Sequence, residues 1–188
     1  MSGTARERMV ESAVVLLAKH GYQATSFSSV IDHSGTPRGS IYHHFPEGKD
    51  QLVAAAVELA GARAVAVLDS LDGLPAAEVV DGFMHLWRTV LERSDFGAGC
   101  SVLAVTVSGE SADLLDGAAA VFSAWESRLG ELLEHGGVPA REATGLATMV
   151  MAASEGAVVL ARAARSFEPL DSVTAGLTSM AEQLVRDA

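Results

Sequence analysis

Between Gly35 and Lys49 the chain reads GTPRGSIYHHFPEGK, which gathers two cations, two adjacent imidazoles, a phenol and two hydroxyls into fifteen residues. These groups donate hydrogen bonds outward. Arginine can donate two of them to the major-groove edge of guanine, and hydroxyl, phenol and imidazole groups reach bases or phosphates. On a helix through this stretch Ile41 turns toward a core, while Arg38, Gly39, Ser40, Tyr42 and His43 can face outward. Gly39 removes a side chain where a backbone must come close, and Lys49 opens the next helix in a position suited to a phosphate. For His44 the alternative is to turn away and cap the helix end, and for Tyr42 it is to pack on the first helix. The signatures of other chemistry are missing: no G-x-S-x-G elbow, no phosphate-cradling glycine loop, no H-E-x-x-H and no zinc-like Cys/His spacing. No catalytic residue, metal or cofactor is therefore expected. Glu155 beside Ser154 leaves an enzymatic base as an alternative to a ligand anchor or an interface residue.

The elements that must position these groups are short. Upstream, ATSFSSVIDHS lets Thr25 or Ser26 cap a helix that turns Phe27, Val30 and Ile31 inward and ends at Gly35. Thr36 then precedes Pro37. A residue before proline is pushed into the extended region that an N-cap needs, and proline suits the first helical position. Two short helices thus meet across about three residues, which is helix-turn-helix spacing. Duplex DNA is the partner this arrangement implies, with Thr25, Ser40, Tyr42 and Lys49 mostly on phosphate, Arg38 reading a base, and Thr36 and His43 also placed at the interface. An adaptor binding protein would leave the outward arginine and hydroxyls without a purpose.

Charge separates the N-terminal quarter from the rest. The 188 residues carry a formal charge of −11, which taken whole argues against nucleic acid. Residues 1–50 nevertheless balance five cations against five anions and hold four of the six histidines, leaving eight cations against nineteen anions in residues 51–188. The single cysteine, Cys100, excludes an intramolecular disulfide and fits a reducing compartment. Nothing before Arg6 reads as a secretion leader, so a cytoplasmic location is expected. The run LATMVMAASEGAVVL from Leu146 to Leu160 is shorter than the ~20 residues of a membrane span and contains Glu155, so no membrane partner is expected.

The 3.6-residue period dominates the whole chain and predicts an all-α fold of about nine helices. Apolar stripes fall at Val10, Ala13, Val14 and Leu17; at Leu52, Ala55, Ala56 and Leu59; at Val80, Phe83, Met84, Trp87 and Leu91; at Ala118, Phe122, Trp125, Leu129 and Leu132; and at Val173, Leu177, Met180, Ala181 and Leu184. Gly21 is expected to take a left-handed position after the first helix. The helix from Pro139 to about Arg165 is apolar or small all round and must be covered all round. A second copy of the chain would cover it, with Ala143, Gly145, Ala147, Ala152, Ala153, Gly156, Ala157 and Ala161 permitting close approach; complete burial within one subunit is the alternative. With the last helix this predicts a four-helix dimer contact through Ala152, Gly156, Val159, Leu177, Met180 and Leu184. Phe83, Trp87, Cys100, Leu103, Phe122, Trp125 and Met149 are candidates to line an apolar cavity, although such residues equally make plain core. Cys100 has a reactive-sensor reading and a small-hydrophobe reading.

Residues 5–60 resemble the DNA-binding domain of the TetR family of bacterial repressors in Gly35, Gly39, Ser40, Ile41, Tyr42, His43, Phe45 and Lys49. Thr36-Pro37, the longer FPEGK segment and Gly99-Cys100 resemble the branch typified by LmrA and YxaF, although Ser101 stands where that branch often has proline. The resemblance implies an N-terminal DNA-binding domain over residues 1–62, ending within the fourth helix, and a ligand-binding and dimerisation domain over residues 63–188. It further implies a homodimer on a palindromic operator, released by a small apolar effector, with the fourth helix as the lever between the two.

Overall fold

A computed structural model describes residues 3–109 and 111–188 of the chain. Nine helices run through the described residues, and no strand does. They are α1 (Ala5–Ala24), α2 (Phe27–Ser34), α3 (Arg38–His44), α4 (Lys49–Asp69), α5 (Ala76–Ser94), α6 (Ser101–Ser108), α7 (Ala112–His135), α8 (Ala140–Ala164) and α9 (Glu168–Arg186). The all-α architecture read from the periodicity is the one observed.

Local chemistry sets the N-terminal boundaries. Thr4 and Glu7 form a reciprocal capping box at the start of α1: the Glu7 N–H donates to Thr4 Oγ1 at 3.2 Å and the Thr4 N–H donates to Glu7 Oε2 at 2.8 Å. Gly21 interrupts α1 at φ 79° and ψ 177°. Its φ is positive as expected, but its ψ is extended, a combination essentially restricted to glycine, so the helix kinks here instead of closing with a left-handed cap. Ser26, rather than Thr25, caps α2 in a box with Ser29, and Gly35 ends α2 in the left-handed conformation at φ 66° and ψ 23°. Pro37 is extended, α3 begins at Arg38, and no side chain caps it.

The chain packs as two compact units, joined by α4 and α7, each of which runs from one into the other. The first extends to Ala62 and takes in Cys100–Val121. Its α1 lies against α2, α3 and α6, and Met9, Val10, Ala13, Leu16 and Leu17 on α1 are buried together with Val30, Ile41 and Phe45. In the first half of α4 the buried residues are Leu52, Val53, Ala56 and Val57. Ala55 and Leu59 are only half-buried, because the two valines take the inner face that the sequence reading gave them. A Cβ at Gly61 would stand 3.0 Å from the Val121 methyls, so glycine lets α4 and α7 close up here.

The second unit comprises Arg63–Gly99 and Phe122–Ala188. Here α9 packs on α5 and α8. The expected α5 stripe of Val80, Phe83, Met84, Trp87 and Leu91 is buried throughout, each side chain contributing about 1.5–3 kcal/mol relative to exposure. Arg128 on α7 ties down the end of α4, donating to Asp69 at 2.7 Å and to Glu131 at 3.2 Å. Those carboxylates raise its pKa, with the Asp69 hydrogen bond the largest cause. Helix α8 is two-faced. Ala143, Leu146, Ala147, Val150, Ala157, Val158 and Ala161 are buried within the unit, while Gly145, Met149, Ala152, Gly156, Val159 and Leu160 are exposed. The alanines at 143, 147, 157 and 161 thus serve internal packing instead of a contact with a second copy, and the alternative of complete burial fails on the exposed face. By length and composition α4 and α8 could each cross a membrane, and 44% of each apolar window is buried in this fold.

Candidate nucleic-acid interface

Helix α3 is anchored from beneath and bare on top. Ile41 and Phe45 are fully buried, and the Phe45 N–H donates to the Ile41 carbonyl at 2.8 Å, closing the last turn. Arg38, Gly39, Tyr42 and His43 are exposed and Ser40 is half-buried. Arg38 makes no ion pair among the described residues. Tyr42 is 66% exposed, yet it is not loose, because its ring stands edge-on to Phe27 of α2 at a centroid distance of 5.5 Å. His43 meets the half-buried His44 at 5.2 Å, also edge-on. Five of the eight residues read as DNA contacts therefore share one short, uncovered helical surface.

The other three are placed differently. Thr25 is buried, and its hydroxyl donates to the Gly21 carbonyl at 2.9 Å, an acceptor that the kink in α1 releases from helical bonding. Thr36 is also buried, sharing a 2.7 Å hydrogen bond with the Ser34 hydroxyl beneath the turn. Neither hydroxyl is presented at the surface: Thr25 holds the junction of α1 and α2, and Thr36 holds the turn that aims α3. Lys49 is half-buried. Its ammonium donates to the Tyr22 carbonyl at 2.7 Å and lies over the Tyr22 ring at 3.7 Å. The Tyr22 hydroxyl in turn donates to Asp50 Oδ1 at 2.6 Å. Burial lowers the Lys49 pKa, and Asp50 beside it opposes the shift. Tyr22 and Asp50 are supporting residues that sequence reasoning missed, and Phe27, read only as facing inward, supports Tyr42. Tyr22 and Asp50 are 28 positions apart, and no local pattern pairs them.

Among the cavity candidates, Phe83, Trp87, Trp125 and Cys100 are buried, and Leu103 and Phe122 are half-buried. Phe83 and Trp87 form an edge-on pair at 6.4 Å, as do Phe122 and Trp125 at 5.6 Å. The Trp87 indole nitrogen is buried without a hydrogen-bond partner among the described residues. Cys100 caps α6, its sulfur accepting from the Leu103 N–H at 3.3 Å. Met149 departs from the expectation: it is 44% exposed, because helical spacing sets it on the outer face of α8 with Ala152, Gly156 and Val159. Of the contact residues, Ala152, Gly156, Val159 and Met180 are exposed and Leu184 is half-buried. Leu177 is buried, since it lies on the side of α9 that packs internally.

A chain that is all-helical in its described residues, with a helix-turn-helix whose second helix is uncovered, is by class a DNA-binding regulator. Residues 10–56 match the family model for bacterial regulatory proteins of the tetR family, and residues 76–176 match that for the C-terminal domain of LmrA/YxaF-like transcriptional regulators. The chain is 39% identical over 175 residues to the HTH-type transcriptional regulator Rv0196 of Mycobacterium tuberculosis, covering 89% of each protein. It is 30% identical over 172 residues to the HTH-type transcriptional regulator LmrA of Bacillus subtilis, covering 89% of this chain and 92% of LmrA. A TetR transcriptional regulator from Legionella pneumophila superimposes with a TM-score of 0.86 at 25% identity, over 96% of this chain and 98% of that one. The chain belongs to the TetR family of bacterial transcriptional regulators, in its LmrA/YxaF-like branch.

Proposed function

We infer that the protein is a repressor that binds a palindromic DNA operator as a homodimer and lets go when a small apolar molecule binds within residues 63–188. Residues 1–62 carry DNA recognition in this reading, and residues 63–188 carry the effector and the dimer contact. The observation that carries it is the α3 face, where Arg38, Gly39, Tyr42 and His43 stand exposed around a buried Ile41 anchor. An arginine with no ion pair among the described residues is free to read guanine, and the phenol and imidazole can bond to bases or phosphates.

Two features of the second unit support the dimer. The exposed face of α8 is apolar, with Val159 at 53% and Leu160 at 58% exposure. Gly145 and Gly156 on α8 and Gly176 on α9 have nothing within 4 Å of an added Cβ, so packing within the protomer does not require glycine there. A twofold axis through this face would present two α3 helices to half-sites roughly 34–36 Å apart. The edge-on pairs of Phe83 with Trp87 and of Phe122 with Trp125 support an effector with an apolar body. Release then follows if the effector binds two conformations unequally, with a coupling of typically 1–3 kcal/mol.

The test is an electrophoretic shift with duplexes selected by the protein from a random-sequence pool, followed by a thermal-shift screen of apolar compounds for release. Enrichment of a palindrome supports the reading. A protein that retains no sequence above background at low salt is not such a repressor.

A further inference from the structure

We propose that Gly39 is the seat of a thymine 5-methyl group in each operator half-site, an assignment that rests on the DNA-binding reading above. A glycine inside a helix is ordinarily explained by a positive φ or by a neighbour that leaves no room for Cβ. Neither applies here. Gly39 is absent from the residues with positive φ, and a Cβ built on it meets nothing within 4 Å. Contrast Gly82, where a Cβ would fall 2.5 Å from Leu71, or Gly136, where it would fall 2.5 Å from the Ala76 nitrogen. Alanine in place of Gly39 would favour the helix, so the fold alone gives no reason for the bare backbone.

Openness by itself assigns no ligand, since Gly117 on α7 is equally open. What distinguishes Gly39 is its surroundings. Tyr42 and His43 follow it by three and four residues and so flank it on one helical face, and both are exposed. Phe27 steadies the Tyr42 ring from the side, and Arg38 precedes the glycine without an ion pair among the described residues. The result is a bare Cα floor beside the exposed Tyr42 and His43, on the face that the reading above gives to DNA. The floor carries no side-chain donor or acceptor and is suited to an apolar projection. Among the groups that the four bases display in the major groove, the thymine 5-methyl is the apolar one.

The experiment uses the full-length protein and a duplex that it has selected from a random pool, with each thymine in turn replaced by deoxyuridine. One position per half-site is expected to weaken wild-type binding about fourfold, the worth of one buried methyl, with the other thymines near neutral. Gly39→Ala is expected to keep or raise the melting temperature, to bind the thymine duplex at least tenfold more weakly, and to bind more tightly than that when deoxyuridine replaces the thymine in both half-sites. Insensitivity of the wild type to every thymine replacement overturns the proposal, as does Gly39→Ala binding the selected duplex like the wild type. A uniform loss by Gly39→Ala on thymine and deoxyuridine duplexes alike also overturns it and assigns the bare floor to the sugar-phosphate backbone. If the wild type selects no duplex at all, the DNA-binding reading itself falls and takes this one with it.

Discussion

Lys49 Nζ donates a hydrogen bond to the main-chain carbonyl of Tyr22 at 2.7 Å and lies 3.7 Å from the centre of that residue's ring. The next residue, Asp50, accepts from the Tyr22 hydroxyl at 2.6 Å. The first turn of α4 therefore grips both ends of one tyrosine just beyond the kink in α1. A group read from sequence as a phosphate contact is, in the free protein, a clamp between two helices. Lys49→Met is expected to lower unfolding stability by about 1 kcal/mol, the worth of one such hydrogen bond, as measured by urea denaturation without DNA. Unchanged stability would mark Lys49 as a surface cation only.

The same clamp has a pH signature. Burial holds the folded-state pKa of Lys49 below its ordinary value of 10.5, so the unfolded chain binds more protons between the two values. Stability rises with pH wherever that holds. The stability of wild type relative to Lys49→Met is expected to increase as pH climbs from the folded-state pKa toward 10.5, and paired denaturation curves across the alkaline range measure it. A relative stability that falls over that interval contradicts the burial.

Thr36 gives a cleaner separation of support from contact. Because its hydroxyl bonds to Ser34 in a buried position, Thr36→Val should cost about 1 kcal/mol of stability, since Ser34 keeps only its 3.4 Å bonds to the Ile31 carbonyl and the residue-36 N–H. The dependence of DNA binding on salt should not change. A shift in that dependence with intact stability would return Thr36 to the DNA surface.

Arg38 should behave in the opposite way. Arg38→Ala is expected to leave the melting temperature unchanged and to cost about 1–3 kcal/mol at the operator, relaxing preference at one position per half-site. Equal weakening on all sequences would make it a phosphate clamp. Few full charges face the duplex, and each neutralised phosphate contributes about −0.9 to the slope of log affinity against log salt. A slope shallower than about −10 is therefore expected for the dimer.

The proposed dimer contact separates residues that look alike in sequence. Val159→Glu lies on the exposed face of α8 and should convert a dimer to a folded monomer in sedimentation, with helical circular dichroism retained. Leu177→Ala lies inside the unit and should cost about 2–5 kcal/mol of stability through cavity formation.

Much of the fold was legible because helical amphipathicity is local. The α5 stripe from Val80 to Leu91 needs only its own spacing to be read, and Gly35 and Pro37 mark the turn by their own dihedral limits. What failed was whatever depended on which neighbour, near or far along the chain, a side chain meets in the folded state. The stripe on α9 includes both Leu177 and Met180, yet one is inside and the other outside. Met149 carries an apolar side chain suited to a cavity, and packing set it on an outer face. Thr25 and Thr36 have the right chemistry for DNA, and nearby carbonyl and hydroxyl groups claimed them first.

The sequence by itself determined that this chain is helical, where the helix-turn-helix lies, and which residues compose its outward face, because propensity, capping and periodicity act within a few residues. Only the tertiary structure decided that Lys49 would be held by Tyr22, that α6 would pack on α1, and that α8 would keep one face uncovered. Those outcomes follow from which surfaces meet when distant segments are brought together, and burial of that kind has no local pattern from which to read it.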